Sequence, residues 1–97
     1  MLFAIIGANT GNASPTLEAV RSTRDDAKQA LKKIANEITD QLKAEYAYEG
    51  EADRVRCIIG EDDACVIDER EDVEYDFVLV EVPTSPEGSA YARKLWE

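Results

Sequence analysis

The sequence predicts an α+β two-layer sandwich: one long helix packed on a mostly antiparallel sheet of four to five strands. The expected order is strand, strand, helix and then three strands, with a short helix over residues 89–97. Three observations predict it. One apolar stripe of helical period runs from Ala27 to Leu42. Short β-branched runs separated by turn residues come after it. A strand apolar on both faces comes last, over 73–82. At 97 residues the chain is expected to form a single domain, 1–97, with one modest core.

Leu2-Phe3-Ala4-Ile5-Ile6 reads as the first strand, and Gly7-Ala8-Asn9-Thr10-Gly11-Asn12 as a loop of residues that tolerate positive φ. Thr16 to Arg21 is assigned to a strand returning beside the first. The next five residues give the reason: Ser22-Thr23 offers hydroxyls for an N-cap, and Asp25 and Asp26 suit the first turn of a helix, so that helix has not begun earlier. From there Ala27, Ala30, Leu31, Ile34, Ala35, Ile38 and Leu42 recur at steps of three and four, with Lys28, Lys32, Lys33, Glu37, Asp40 and Lys43 off the stripe. Gly50 is expected to close the helix just past Tyr46 or Tyr48.

Arg54–Ile59 and Ala64–Asp68 read as a hairpin around Gly60-Glu61-Asp62-Asp63, and Glu69-Arg70-Glu71-Asp72 as a charged loop. In Val73–Val82 the run Phe77-Val78-Leu79-Val80 is apolar on both faces. That strand is expected to be central, with the helix on one side and a second cover, from residues 89–97 or another subunit, on the other. Tyr91, Leu95 and Trp96 are the side chains placed to cover an open sheet face.

The charge is confined. Residues 49–81 hold thirteen Asp or Glu against three Arg, which equals the whole chain's net charge of −10, while the segments before and after are balanced. A localised field of one sign steers partners of the opposite sign, and it repels nucleic acid and anionic membranes. Direct nucleic-acid or membrane binding is therefore not expected. The apolar run at Leu2–Ile6 has no basic residues before it and is too short for a signal peptide or a membrane span, so the expected location is cytoplasmic.

The motifs of catalysis are weak. There is no histidine, which removes the commonest general base and metal ligand. Asn9-Thr10-Gly11-Asn12 after an apolar strand resembles the phosphate-cradling loop of flavodoxins, but the helix begins too late and the chain is too short for that doubly wound sheet, so an ordinary turn is expected. The acids of 61–76 lack the alternating ligands and mid-loop glycine of an EF-hand. Clustered exposed acids are also the wrong setting for a raised carboxyl pKa. No enzyme activity, cofactor or metal is expected. Cys57 and Cys65 flank the hairpin turn and would face each other in one register or lie on opposite faces in the next, and buried free thiols are expected.

What remains is the acidic region. Alternate residues of a strand share a face, so Asp72, Glu74 and Asp76 are expected to form a row of carboxylates. Asp68, Glu69 and Glu71 and the turn acids Glu61, Asp62 and Asp63 would extend it into a partner-binding surface. Such a row can imitate a phosphate backbone and dock on a basic protein surface, such as that of a nucleic-acid-binding enzyme. In size and charge the chain is similar to the small anti-restriction and anti-CRISPR proteins of phages, a likeness of profile that implies a non-enzymatic inhibitor. The alternative is a structural or assembly subunit that forms a homodimer through the apolar sheet face, using Phe77, Leu79 and Trp96, with the acids serving solubility.

Overall fold

A computed structural model describes residues 1–83, without the side chains of residues 12 and 13. The expected helical turns at 89–97, with Tyr91, Leu95 and Trp96, lie outside the described residues. Within them the fold is the predicted α+β sandwich. The elements are β1 (Leu2–Asn9), β2 (Asn12–Arg21), α1 (Arg24–Ala47), a 3₁₀ turn (Ala52–Arg54), β3 (Val55–Ile59), β4 (Asp63–Asp68) and β5 (Val73–Val82). All neighbouring strands are antiparallel, in the order β2-β1-β5-β4-β3, so the doubly apolar strand β5 is central as its composition requires.

The helix forms where its signals lie. Thr23 caps it, its hydroxyl accepting from the Asp26 backbone N–H at 3.1 Å, with Asp25 and Asp26 in the first turn. It ends at Ala47, and Gly50 takes φ +70° while donating to the Ala47 carbonyl. Ala27, Ala30, Leu31 and Ala35 are buried against the sheet, with Ile34, Ile38 and Leu42 packed beside them. The sheet meets that stripe with Phe3 and Ile5 of β1, Phe77 and Leu79 of β5, Ala64 and Val66 of β4, and Val55 of β3.

Three local expectations need correction. The first strand runs on to Asn9, and the loop shrinks to a two-residue turn at Thr10-Gly11, because Asn9 pairs with Asn12 and the Asn9 side chain accepts from Gly11 N at 3.0 Å. The second strand begins at Asn12 and carries Pro15, which a sheet tolerates only where the strand is an edge, as β2 is. Phe77 and Leu79 point into the core, so they are not available to a dimer interface, and the second face is presented by Val78 and Val80. At Gly7 the helix-side space is closed: an added Cβ would lie 2.8 Å from Glu18 and 2.9 Å from Phe77.

Candidate functional site: the open face of the sheet

Strand parity sorts the acidic region. Ala64, Val66 and Asp68 of β4 and Phe77 and Leu79 of β5 face the helix, so Asp63, Cys65 and Ile67 and Glu74, Asp76, Val78 and Val80 face away. The register completes that outer face. Val80 stands beside Ala4, Val78 beside Ile6 and Asp63, and Asp76 between Ala8 and Cys65, while Ile58 of β3 pairs with Cys65. Beyond β1, Val20 and Leu17 of β2 continue the rows of Ala4 and Ile6.

No secondary-structure element of residues 1–83 covers this face. Leu2, Leu17, Val20, Ile58, Val78 and Val80 are all exposed on it, Leu17 at 53% and Ile58 at 59%. A contiguous apolar surface of this kind marks an interaction site more often than scattered exposed residues do. A shallow groove of about 410 Å³ crosses it, lined by Ile6, Ala8, Pro15, Ile58 and Val78 with the polar groups of Asp63, Cys65 and Asp76.

The nine acids expected to bind a partner do not share a surface. The β3–β4 turn and the β4–β5 turn lie at opposite ends of β4, about 20 Å apart at 3.3 Å per residue. Asp68 is a correction: it is 2% exposed and a fold determinant. Its Oδ2 accepts from the Tyr46 hydroxyl at 2.5 Å, and its Oδ1 accepts from the backbone N–H of Arg70 and Glu71 at 3.1 and 3.2 Å. Tyr46, at the end of α1, is thereby fastened to the β4–β5 turn. The hydrogen bond to Asp68, with burial and the carboxylate charge added, pushes the Tyr46 phenol up to about 12.

Arginines neutralise several others. Arg56 pairs with Glu69 at 2.5 Å, and Arg24 with Asp62 at 2.9 Å. Arg70 lies over the Tyr46 ring at 4.6 Å, reaches Glu49 and Glu51 at 2.6 and 3.1 Å, and stands 3.9 Å from Glu71. Asp72 leaves the expected row because it sits in the turn at φ +56°, outside the strand. Glu61 is exposed in the β3–β4 turn, at the other end of β4 from Asp72.

Asp63, Glu74 and Asp76 are thus the acids that the fold gathers on the open face, and among the described residues none of them makes an ion pair. Glu74 and Asp76 flank the Cys65 thiol, which donates to Glu74 Oε1 at 2.9 Å. One ligand atom from each of Cys65, Glu74 and Asp76 lies within 4.8 Å of the others, a spacing that could hold a metal ion. In the absence of a cation, burial and then hydrogen bonds to Glu74 and Asp76 and their charge push the thiol up to about 12, so it is held protonated and is a poor nucleophile. Cys57 lies on the helix side of the sheet, packed against the core, so the two free cysteines occupy opposite faces.

The turn that resembles a phosphate loop is occupied by fold contacts. The Thr10 hydroxyl accepts from Glu74 N and the Thr10 N–H donates to the Glu74 carbonyl, both at 3.2 Å, which ties the β1–β2 turn to β5. No helix among the described residues is long and apolar enough to cross a membrane. Compared with known proteins, the chain matches no family model, no curated protein and no solved structure.

Proposed function

We propose that this protein is a non-enzymatic binding module that docks a basic partner, such as the cationic surface of a nucleic-acid-binding enzyme, on the open face of its sheet. The observation that carries this reading is the set Asp63, Glu74 and Asp76, free of ion pairs among the described residues and set against exposed Ile58 and Val78. Protein interfaces combine an apolar centre with charged groups that fix register and partner choice. The net charge of −10 supplies long-range attraction toward a basic surface. An inhibitor of the phage anti-defence type is one protein that would use such a surface.

The test compares two sets of charge-neutralising substitutions in affinity capture from the native host lysate, washed at low and then high salt. Asp63→Asn with Glu74→Gln and Asp76→Asn should abolish salt-sensitive capture. Glu69→Gln with Glu71→Gln, in the arginine-paired turn, should retain it. Equal capture by both variants overturns the reading.

A second reading has its own observation. The β2–β1 half of the face, with Leu2, Leu17 and Val20 exposed, carries apolar side chains without the acids that mark the β5–β4 half. A homodimer or assembly contact built there would sediment as a dimer insensitive to salt, with no basic partner captured.

A further inference from the structure

We infer that this protein forms a two-fold symmetric homodimer in which β3 pairs antiparallel with β3 of a second copy, joining the two sheets edge to edge. This goes beyond the docking reading and stands without it, because it uses a strand edge and not the open face.

The two edges of the sheet, β2 and β3, are unlike. β2 carries Pro15, and its register against β1 shifts between Ile5 and Ile6 and again between Gly7 and Asn9, features that keep an edge from pairing. β3 has neither. Two hydrogen bonds fix which of its backbone groups are already used. Gly60 N–H donates to the Asp63 carbonyl and Glu69 N–H to the Arg54 carbonyl, and both pairs continue the β3–β4 register. Arg54, Arg56, Ile58 and Gly60 therefore turn their N–H and C=O groups toward β4, while Val55, Cys57 and Ile59 turn theirs outward. The Val55 N–H donates to the Ala52 carbonyl. The groups left at the edge without a partner among the described residues are the Val55 carbonyl and both backbone groups of Cys57 and Ile59.

A two-fold contact must be complementary to itself. With the axis at Cys57, each Cys57 N–H donates to the other copy's Cys57 carbonyl, and each Ile59 N–H donates to the Val55 carbonyl opposite. That pairing uses both edge donors and leaves the Ile59 carbonyl to water. The side chains agree. On the outer face Ile58, 59% exposed, falls beside Arg56 of the second copy, whose aliphatic stem covers it. On the helix side Lys28, Leu31 and Lys32 border a cleft of about 380 Å³ with Ile59, Gly60 and Glu61. Neither lysine makes an ion pair among the described residues, and neither does Asp53, just before the Val55 end of the strand. Antiparallel pairing brings the Ile59 end of one copy to the Val55 end of the other, so Asp53 of the second copy comes beside Lys28 and Lys32, and symmetry repeats the contact. A foreign strand added to this edge would lack that reciprocity. The net charge of −10 opposes association at long range, but along this edge Lys28, Lys32, Arg54 and Arg56 outnumber Asp53 and Glu61. The carboxylates of Asp63, Glu74 and Asp76 stay on the open face, and an axis normal to the sheet keeps both open faces on the same side.

The measurement is sedimentation of the full chain over a range of concentrations, with amide hydrogen exchange read by NMR on the same samples. A dimer is expected that dissociates on dilution. The Cys57 and Ile59 amides should be protected in the dimer and exchange freely in the monomer, while those of Arg56 and Ile58 stay protected in both. Ile59→Pro removes an edge N–H and no β3–β4 hydrogen bond, so it should give a folded monomer, whereas Ile59→Thr should still dimerise. Asp53→Lys should raise the dimer dissociation constant several-fold, and adding Lys32→Asp should recover most of that loss, an exchange that leaves the sheet untouched. A parent chain that stays monomeric at every concentration overturns the proposal. So does a dimer that survives in Ile59→Pro with the Cys57 amide exchanging freely, which would place the contact elsewhere, and so does a charge exchange that fails to recover the dimer.

Discussion

Asp68 and Asp76 are the same residue type, eight positions apart in one acidic run, and the fold uses them in opposite ways. Asp68 closes β4 on the helix side, buried, with a tyrosine hydroxyl and two backbone N–H groups donating to it. Asp76 stands mid-strand on the outer face with no ion pair among the described residues, beside a thiol that its charge helps keep protonated. Composition treats them alike, but strand parity separates them. The lesson is that an acidic stretch can hold both a structural carboxylate and a free one, and that only register tells which is which.

The sharpest way to break this comparison is to remove each carboxylate in turn. Asp68→Ala should destabilise the protein by about 3 kcal/mol, because a buried tyrosine hydroxyl and two half-buried backbone N–H groups lose a shared carboxylate acceptor at once. Urea denaturation followed by circular dichroism measures it. Asp76→Ala under the same conditions should change stability by no more than about 0.5 kcal/mol. Equal losses would mean that both carboxylates hold the fold.

A smaller effect is expected from the donor side. Tyr46→Phe keeps the ring under Arg70 but removes one hydrogen bond to Asp68, which should cost about 1 to 2 kcal/mol. Its pH dependence identifies the cause. The Tyr46 phenol is raised from 10.0 to about 12 in the folded protein, so the folded state holds its proton where the unfolded state has lost it. That contribution is fully present below pH 10 and is lost as pH rises toward 12, and Cys65 adds the same trend from 9.0 upward. Alkaline titration of the melting temperature should therefore fall more gently in Tyr46→Phe than in the parent chain.

Much of the fold was legible because its signals are local. The Thr23 cap, the stripe from Ala27 to Leu42 and the Gly50 closure each depend on residues within a turn or two of one another. The orientation of β5 was not read, since Phe77, Val78, Leu79 and Val80 are all apolar and show no alternation to choose a face. The signal lay just upstream: Glu74 and Asp76 share parity with Val78 and Val80, and charges facing away from the helix carry those valines with them. Asp68 and Tyr46 were missed for a different reason. Their contact joins positions 22 apart, and a buried aspartate inside an acidic run has the same local pattern as a solvated one. The nine expected site residues therefore resolve into a free trio, the acids of the two turns, most of them paired with arginines, and one core residue.

The smallest effect comes from neutralising the trio itself. In Asp63→Asn with Glu74→Gln and Asp76→Asn, no ion pair is lost and three exposed or half-exposed like charges disappear from neighbouring positions on β4 and β5. Mutual repulsion at the surface is worth tenths of a kcal/mol, so stability should rise by about 0.5 kcal/mol or less, and the rise should vanish in high salt, which already screens that repulsion. The same variant removes two carboxylates that raise the Cys65 thiol, so alkylation of Cys65 at pH 9, followed by peptide mapping to separate it from Cys57, should accelerate. A large loss of stability instead would place these three carboxylates with Asp68, as parts of the fold, and would remove the distinction between the two faces of β4.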